Sequence, residues 1–539
     1  MVSPKLALIR QYFFAMDLWA TLTDRSISGE LVVWKEGSPV KRPRAALIDD
    51  AERAAAALRH VGVCPGERVA CVLTNSAEAC AGAVGVWLAG GVLISLPVPA
   101  RATRLDEYRA QIGSLCRAAG SRVLLVEDRF ASWLEVEGID VRPYETLTAD
   151  RAAEPSPPGP DAPAFVQFSS GSTSAPRGCV LTTRAITAQL EMLGAALRLD
   201  PERDRGAMWL PLSHDMGFFG GLMLLWAHGV SGLLSAPERF LAAPETWLAD
   251  CAEIDATITA APAFALDLAV RRRDRLRLAR PVPLRACLLG GELILPEVLE
   301  RAARELAPVG VAAATLVPAY GLAEATLAVT ISEPGRGPRI DRHAGDDGDE
   351  RDVVSVGSPI GEVEVRIDGE ADGEICVRSP SLASGYLDDP AATARSFRDG
   401  ELRTGDLGYR RDGELYVLGR ADDVLKIGAR KLWATEVERS VEGLAGVRPG
   451  GTALIALPDG DRMKHVVLLE PAAGDGNVDS LAREIARRAL TEFGVRLDEI
   501  VVLEPGELPK TPSGKIQRHR CATVARNGDH PRIRPAARS

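Results

Sequence analysis

Apolar runs of strand length alternate with helical periodicity along most of this chain, and that alternation limits its fold more than any other feature. Ala164 to Phe168 is one such run. Beyond a serine-rich stretch, Ile186, Leu190, Leu193 and Leu197 follow at helical spacing. Successive strand residues face opposite ways, whereas residues three and four apart share a helix face. Val123 to Val126, Thr257 to Ala260, Ala286 to Leu289 and Thr315 to Val317 are further strand candidates, each ending in a turn or polar loop. The pattern predicts an α/β fold of doubly wound sheets, and such sheets bind ligands in the loops after their strands. At 539 residues the chain has room for a second module.

Composition removes several classes of function. The 64 basic and 74 acidic residues leave a net charge of −10, without the broad cationic field that nucleic-acid binding needs. Nine cysteines occur with no C-x-x-C pair and no histidine cluster, which predicts reduced core residues in a cytoplasmic protein. Met1 to Arg10 lacks the apolar core and cleavage site of an export signal. Ala79 to Ala100 and Gly217 to Ala236 contain no Asp, Glu, Lys or Arg, yet glycines interrupt both and neither has a one-sided basic flank. Each predicts a buried helix running into a buried strand, not an integral membrane segment.

Three boundaries punctuate the chain. Arg151 to Ala164 is proline-rich and predicts an irregular connection, while Asp341 to Asp352 predicts a charged surface loop. After Asp422 the pattern becomes helix (Ala434 to Val441), two strands (Thr452 to Leu457, His465 to Leu469), helix (Leu481 to Phe493, stopped by Gly494) and strand (Ile500 to Leu503). Domains of residues 1–421 and 422–539 are expected, the second a small, mobile α+β module.

Phe168-Ser-Ser-Gly-Ser-Thr-Ser-Ala-Pro-Arg-Gly178 follows a strand and is expected to precede a helix. Small hydroxyl and glycine residues there can turn successive N–H groups toward one point, a nest for phosphate oxygens. A serine-rich turn without a ligand is the alternative. The G-x-x-x-x-G-K-[ST] loop is excluded, because Gly514-Lys515 is followed by Ile516. Lysine is scarce, 8 against 56 arginines, with none between Lys41 and Lys426. Lys515, on a glycine turn near the end, therefore stands out as a residue kept for its compact charge, with a solvated surface lysine as the alternative.

Six stretches in order resemble the adenylate-forming superfamily of acyl-CoA synthetases, adenylation domains, luciferases and fatty acyl-AMP ligases. They are FSSGSTSAPRG, LPLSHDMG (Leu210 to Gly217), GGE (Gly290 to Glu292), AYGLAEAT (Ala319 to Thr326), LRTGDLGYRRDGELYVLGRADD (Leu402 to Asp423) and PKTPSGKIQR. The resemblance implies that the large domain adds a distorted β-barrel to its sheets. It also implies that Ser169, Ser170, Gly171, Ser172 and Thr173 hold the β and γ phosphates of ATP. Gly290, Gly291 and Glu292 would lie by the adenine, with Tyr320 stacked on it and Gly321 beside it. Glu324 and Thr173 would ligate Mg²⁺, Asp406 would accept the ribose hydroxyls with Arg420 assisting, and Asp422 would be the hinge. Lys515 would meet the attacking carboxylate and the α-phosphate, and His214 joins Lys515 and Glu324 as a candidate catalytic residue.

The phosphate, His-Asp-Met-Gly and Ala-Glu-Ala-Thr-Leu segments look most like fatty acyl-AMP ligases. This implies transfer of a fatty or other apolar acyl group to the phosphopantetheine of an acyl carrier protein. In that family an insertion after Ala-Glu-Ala-Thr-Leu obstructs the coenzyme A pose; here Ala328 to Asp352 is shorter than usual. Lys431, in Gly428-Ala-Arg-Lys-Leu-Trp, is closer to the acyl-CoA synthetases. Arg177 and Ser213 depart from a usual lysine and aromatic residue, which leaves a non-catalytic ATP-binding partner protein as an alternative of another class.

Overall fold

The computed structural model describes residues 16–35, 37–99, 104–149, 154–169, 177–344, 350–427, 430–459, 462–472, 477–510 and 516–535. Its largest sheet has nine strands in the order Ser358–Pro359, Ala328–Ile331, Leu316–Gly321, Ala286–Leu289, Ile258–Ala261, Arg205–Met208, Ser231–Leu234, Glu30–Lys35 and Ser38–Pro43. The six from Leu316–Gly321 to Glu30–Lys35 run parallel. A second sheet orders Gly385–Tyr386, Arg177–Thr182, Pro163–Ser169, Val92–Leu96, Arg68–Val72, Val123–Val126 and Asp140–Pro143, the last five parallel. Parallel strands need crossover connections, and helices packed on both faces explain why these strands are nearly all apolar.

One apolar core joins both sheets. Trp87, Phe165, Phe218 and Phe219, all fully buried, meet ring to ring at its centre, with centroids 4.8 Å apart for Phe165 and Phe218 and 5.2 Å for Phe218 and Phe219. Both charge-free stretches feed this core as expected. Helix Ala77–Leu88, capped by the Ser76 hydroxyl at Ala79 N (3.1 Å), runs into Val92–Leu96; a helical segment from Asp215 to Ala227 with a π-turn at Phe218–Met223 runs into Ser231–Leu234. Among the described residues no helix is long and apolar enough to cross a membrane.

Two expectations are corrected. Asp341 to Asp352 is not a loop throughout: Ile340–Ala344 and Glu350–Val354 pair as antiparallel strands, and residues 345–349 lie outside the described residues. Its charges are paired across the strands, Arg342 with its diagonal neighbour Glu350 (2.7 Å, both exposed) and Asp341 with the Tyr409 hydroxyl (2.7 Å), and such pairs favour a ladder. The serine-rich stretch does not lead into a helix either. It joins antiparallel strands, with Ser169 opposite Arg177, and helix Thr183–Leu197 starts only after Arg177–Thr182, where the Thr182 hydroxyl caps Ala185 N.

An antiparallel five-stranded sheet built on Glu401–Arg411 stands where the distorted barrel is expected. Beyond it, Ala421–Asp423 forms a 3₁₀ turn containing the expected domain boundary. A four-stranded sheet (Val447–Asp459, Arg462–Pro471, Glu499–Val502, Arg532–Ile533) then packs with helices Ala434–Glu442, Val478–Phe493 and Arg518–Asn527. Trp433 packs with Val353, Tyr409, Tyr416 and Leu418, and Arg351 pairs with Glu436 at 2.8 Å, so the hairpin at 340–354 touches this module.

Candidate active site

The C-terminal ends of the parallel strands supply most of the expected site residues, because each strand stops where its backbone turns out of the ladder. Gly290, Gly291 and Glu292 follow Ala286–Leu289, and Glu292 Oε1 accepts the Phe264 N–H (2.7 Å) at the start of helix Ala263–Arg272. Glu292 therefore has a capping role beside the one expected of it at the adenine. Tyr320 and Gly321 end strand Leu316–Gly321, and Glu324 lies in the 3₁₀ turn Ala323–Ala325. A Cβ on Gly321 would lie 1.8 Å from the Leu327 carbonyl oxygen, so only glycine allows that turn to close.

His214 follows strand Arg205–Met208 on a firmly tied loop. Asn75 donates to the carbonyls of Leu210 (2.9 Å) and Ser235 (2.8 Å) and accepts from Leu212 N (3.1 Å). Gln167 and Ser95 both donate to the Ser213 carbonyl, at 2.8 and 3.2 Å. At Gly217 a Cβ would sit 2.1 Å from the Pro211 oxygen, which fixes glycine where the loop folds back on itself. These ties hold the residues flanking His214 against both sheets.

Tyr320, 86 residues before Asp406, donates its hydroxyl to Asp406 Oδ2 at 2.6 Å. Burial, with Asp406 beside it, pushes that phenol well above its ordinary range, so it stays a neutral donor. Asp406 N donates to Thr404 Oγ1 (3.0 Å), which in turn donates to the Ile375 carbonyl (2.8 Å). Arg420 stands opposite Asp406 in the hairpin, 3.7 Å from Oδ1. Burial works against its charge, but Asp406, Asp422, Glu324 and Asp423 together hold the guanidinium firmly protonated. Behind the serine-rich stretch, burial raises the Cys179 thiol well above its usual range, and Glu324 and Asp215 add to the effect. Residues from three of the sequence motifs, with Cys179 just after a fourth, thus share one electrostatic neighbourhood.

Ser169 ends strand Pro163–Ser169, with its backbone opposite Arg177; Ser170, Gly171, Ser172 and Thr173 lie outside the described residues. Lys515 lies outside them too. The residues around it are held closely: Lys510 bridges Ile516, and Gln517 N donates to the Pro509 carbonyl at 2.9 Å. Buried Glu470 accepts from Gly506 N (2.9 Å) and Leu508 N (2.7 Å), while Arg518 pairs with Glu438 and with Asp423 (2.6 Å), next to Asp422.

Sequence reasoning misses Tyr386, whose hydroxyl donates to Glu324 Oε1 at 3.0 Å. No local pattern marks it, since its partner lies 62 residues earlier. The donors suit a hard cation: magnesium typically takes one or two carboxylates and completes its shell with substrate phosphates and water, and Glu324 offers carboxylate oxygen at the site. The one three-ligand group found among the described residues, Asp368, Glu374 and Cys376, has both carboxylates paired with Arg403.

Residues 45–387 match the AMP-binding enzyme family. A 4-hydroxyphenylalkanoate adenylyltransferase of Mycobacterium marinum is 29% identical over 87% of this chain and 83% of its own. The long-chain-fatty-acid–AMP ligase FadD26 of the same organism is 28% identical, over 87% and 89%. A solved structure from work on the fatty acyl-adenylate ligases of E. coli and L. pneumophila superposes with a TM-score of 0.88 at 26% identity, covering 96% of this chain and 99% of that one. With these likenesses added to the converging motifs, the chain belongs to the AMP-binding enzyme family, as an adenylate-forming ligase that uses ATP and Mg²⁺ to convert a carboxylic acid to its acyl-AMP.

Proposed function

We propose that this ligase activates an apolar acid and passes the acyl group to the phosphopantetheine thiol of an acyl carrier protein. The convergence of Tyr320, Glu324, Asp406 and Arg420 carries the assignment of the site. Ser169 to Thr173 hold the β and γ phosphates; Gly290, Gly291, Glu292, Tyr320 and Gly321 take the adenine. Asp406 accepts the ribose hydroxyls, as a carboxylate with two oxygens can, and Arg420, 3.7 Å from Oδ1, helps orient it. Glu324 and Thr173 hold the magnesium, which when bound offsets charge on the phosphates.

The acid's carboxylate attacks the α-phosphorus, the bond to the bridging oxygen breaks, and pyrophosphate leaves. Lys515 places a point charge where two anions approach, which lowers the barrier as charge builds on phosphorus. His214 is a candidate catalytic residue beside the acid. In the second step the thiol attacks the acyl carbonyl and AMP leaves. Residues 422–539 turn about Asp422 between the steps, withdrawing Lys515 to admit the thiol.

The relatives' names bracket the acid as a long-chain fatty acid or an aryl alkanoate, and apolar Trp209, Phe219 and Phe264 suit either. Nine free cysteines support a cytoplasmic setting. The His-Asp-Met-Gly and Ala-Glu-Ala-Thr-Leu segments, most like those of fatty acyl-AMP ligases, support the carrier protein as acceptor. A coenzyme A ligase is the second reading, favoured by Lys431. Labelled acid, ATP and either holo carrier protein or coenzyme A separate the two. We expect thioester on the carrier; label on coenzyme A alone reassigns the acceptor, and absence of acid-dependent AMP release points to a non-catalytic partner protein.

A further inference from the structure

We propose that Tyr386 is a positioning residue that fixes the Glu324 carboxylate and ties it to strand Arg177–Thr182, which follows the serine-rich stretch. This rests on Glu324 being the magnesium ligand. Tyr386 is nearly buried, and its hydroxyl reaches Glu324 Oε1 at 3.0 Å. The bond is one of three that bind residues 381–386 to the turn carrying Glu324. Ala383 N donates to the Glu324 carbonyl (2.8 Å), and the Thr326 hydroxyl donates to the Ser381 carbonyl (2.7 Å). Thr326 takes a positive φ of 67°, which a non-glycine residue keeps only where its surroundings enforce it.

The same segment is bonded on its other side to the strand that closes the phosphate loop. Gly385 and Tyr386 pair antiparallel with Val180 and Cys179, Ser384 N donates to the Val180 carbonyl (2.9 Å), and Leu387 N to that of Gly178 (2.7 Å). Arg177, where the loop rejoins this strand, lies with its guanidinium 5.4 Å from the Tyr386 ring centre. Phe397 meets the other ring edge-on at 5.7 Å, and Tyr386 N donates to Thr393 Oγ1 at 2.9 Å. Seven residues thus join the turn carrying Glu324 to the strand that follows the serine-rich stretch, and among them the Tyr386 phenol bonds the Glu324 carboxylate.

A hydrogen bond to one oxygen of a ligating carboxylate stops its rotation and leaves the other oxygen for the metal. Loss of such outer partners typically costs 10–100-fold in metal affinity or activity. Tyr386→Phe removes the hydroxyl donor and keeps the ring. Mn²⁺ binding to the enzyme with ATP, read by electron paramagnetic resonance of the free ion, should weaken about tenfold. ATP binding without metal and the circular dichroism of the fold should not change. Glu324→Gln serves as the companion. Weakened Mn²⁺ binding in both variants supports the proposal; weakening in Glu324→Gln alone overturns the role of Tyr386 and keeps that of Glu324. Unchanged binding in Glu324→Gln overturns both.

Discussion

Asp406 shows how one side chain is held in place by groups far from it in sequence. Its carboxylate faces the Tyr320 hydroxyl on one oxygen and Arg420 on the other, and its own N–H is fixed by Thr404. Hydrogen bonds to a charged group contribute about 1.5–3 kcal/mol each, so losing the charge proposed to receive two ribose hydroxyls should weaken ATP binding by about 3 kcal/mol, roughly 100-fold. Asp406→Asn should show that loss in equilibrium ATP binding while melting near the wild-type temperature. Undiminished affinity would remove Asp406 from the ribose site. The identity of Asp406 is legible in Leu402-Arg-Thr-Gly-Asp406, but its partnership with Tyr320 is not, because a contact across 86 residues leaves no mark in either local pattern.

Among the elements, legibility follows burial. The charge-free stretch from Ala79 to Ala100 reads as buried helix and strand, and Ala77–Leu88, whose first turn also holds Glu78, with Val92–Leu96 are that pair. The strands Ile340–Ala344 and Glu350–Val354 escape notice because their charged residues are satisfied by one another and by Tyr409, partners set by tertiary packing. Helix Arg518–Asn527, also unforeseen, begins with the arginine that ties the lysine loop to the boundary turn. Arg518 is largely buried between Glu438 and Asp423, and removing one member of a buried ion pair costs about 3–5 kcal/mol. Arg518→Met should therefore lower the unfolding free energy of residues 422–539 by about 3 kcal/mol, read as early loss of hydrogen-exchange protection there while the large sheets keep theirs. Equal loss across the chain would mean that the two parts unfold as one.

At the scale of the whole molecule, two doubly wound sheets bring their strand ends to one region, an antiparallel sheet adds Asp406 and Arg420, and a small module carries the lysine. The parallel sheets and the small module follow from α/β alternation and from a change of pattern after Asp422, both plain in the sequence, whereas a third, β-barrel part is implied only by the family resemblance. How the acid is chosen is less plain, because pocket walls come from segments that read only as apolar core. The division of labour among the parts is tested most directly by acid-dependent exchange of labelled pyrophosphate into ATP with wild-type enzyme and with Lys515→Ala. The wild type should exchange only when a carboxylic acid is present; the variant should lose exchange by about 100-fold or more, consistent with loss of one preorganised charge, and still bind ATP. Exchange by Lys515→Ala at the wild-type rate would contradict the account.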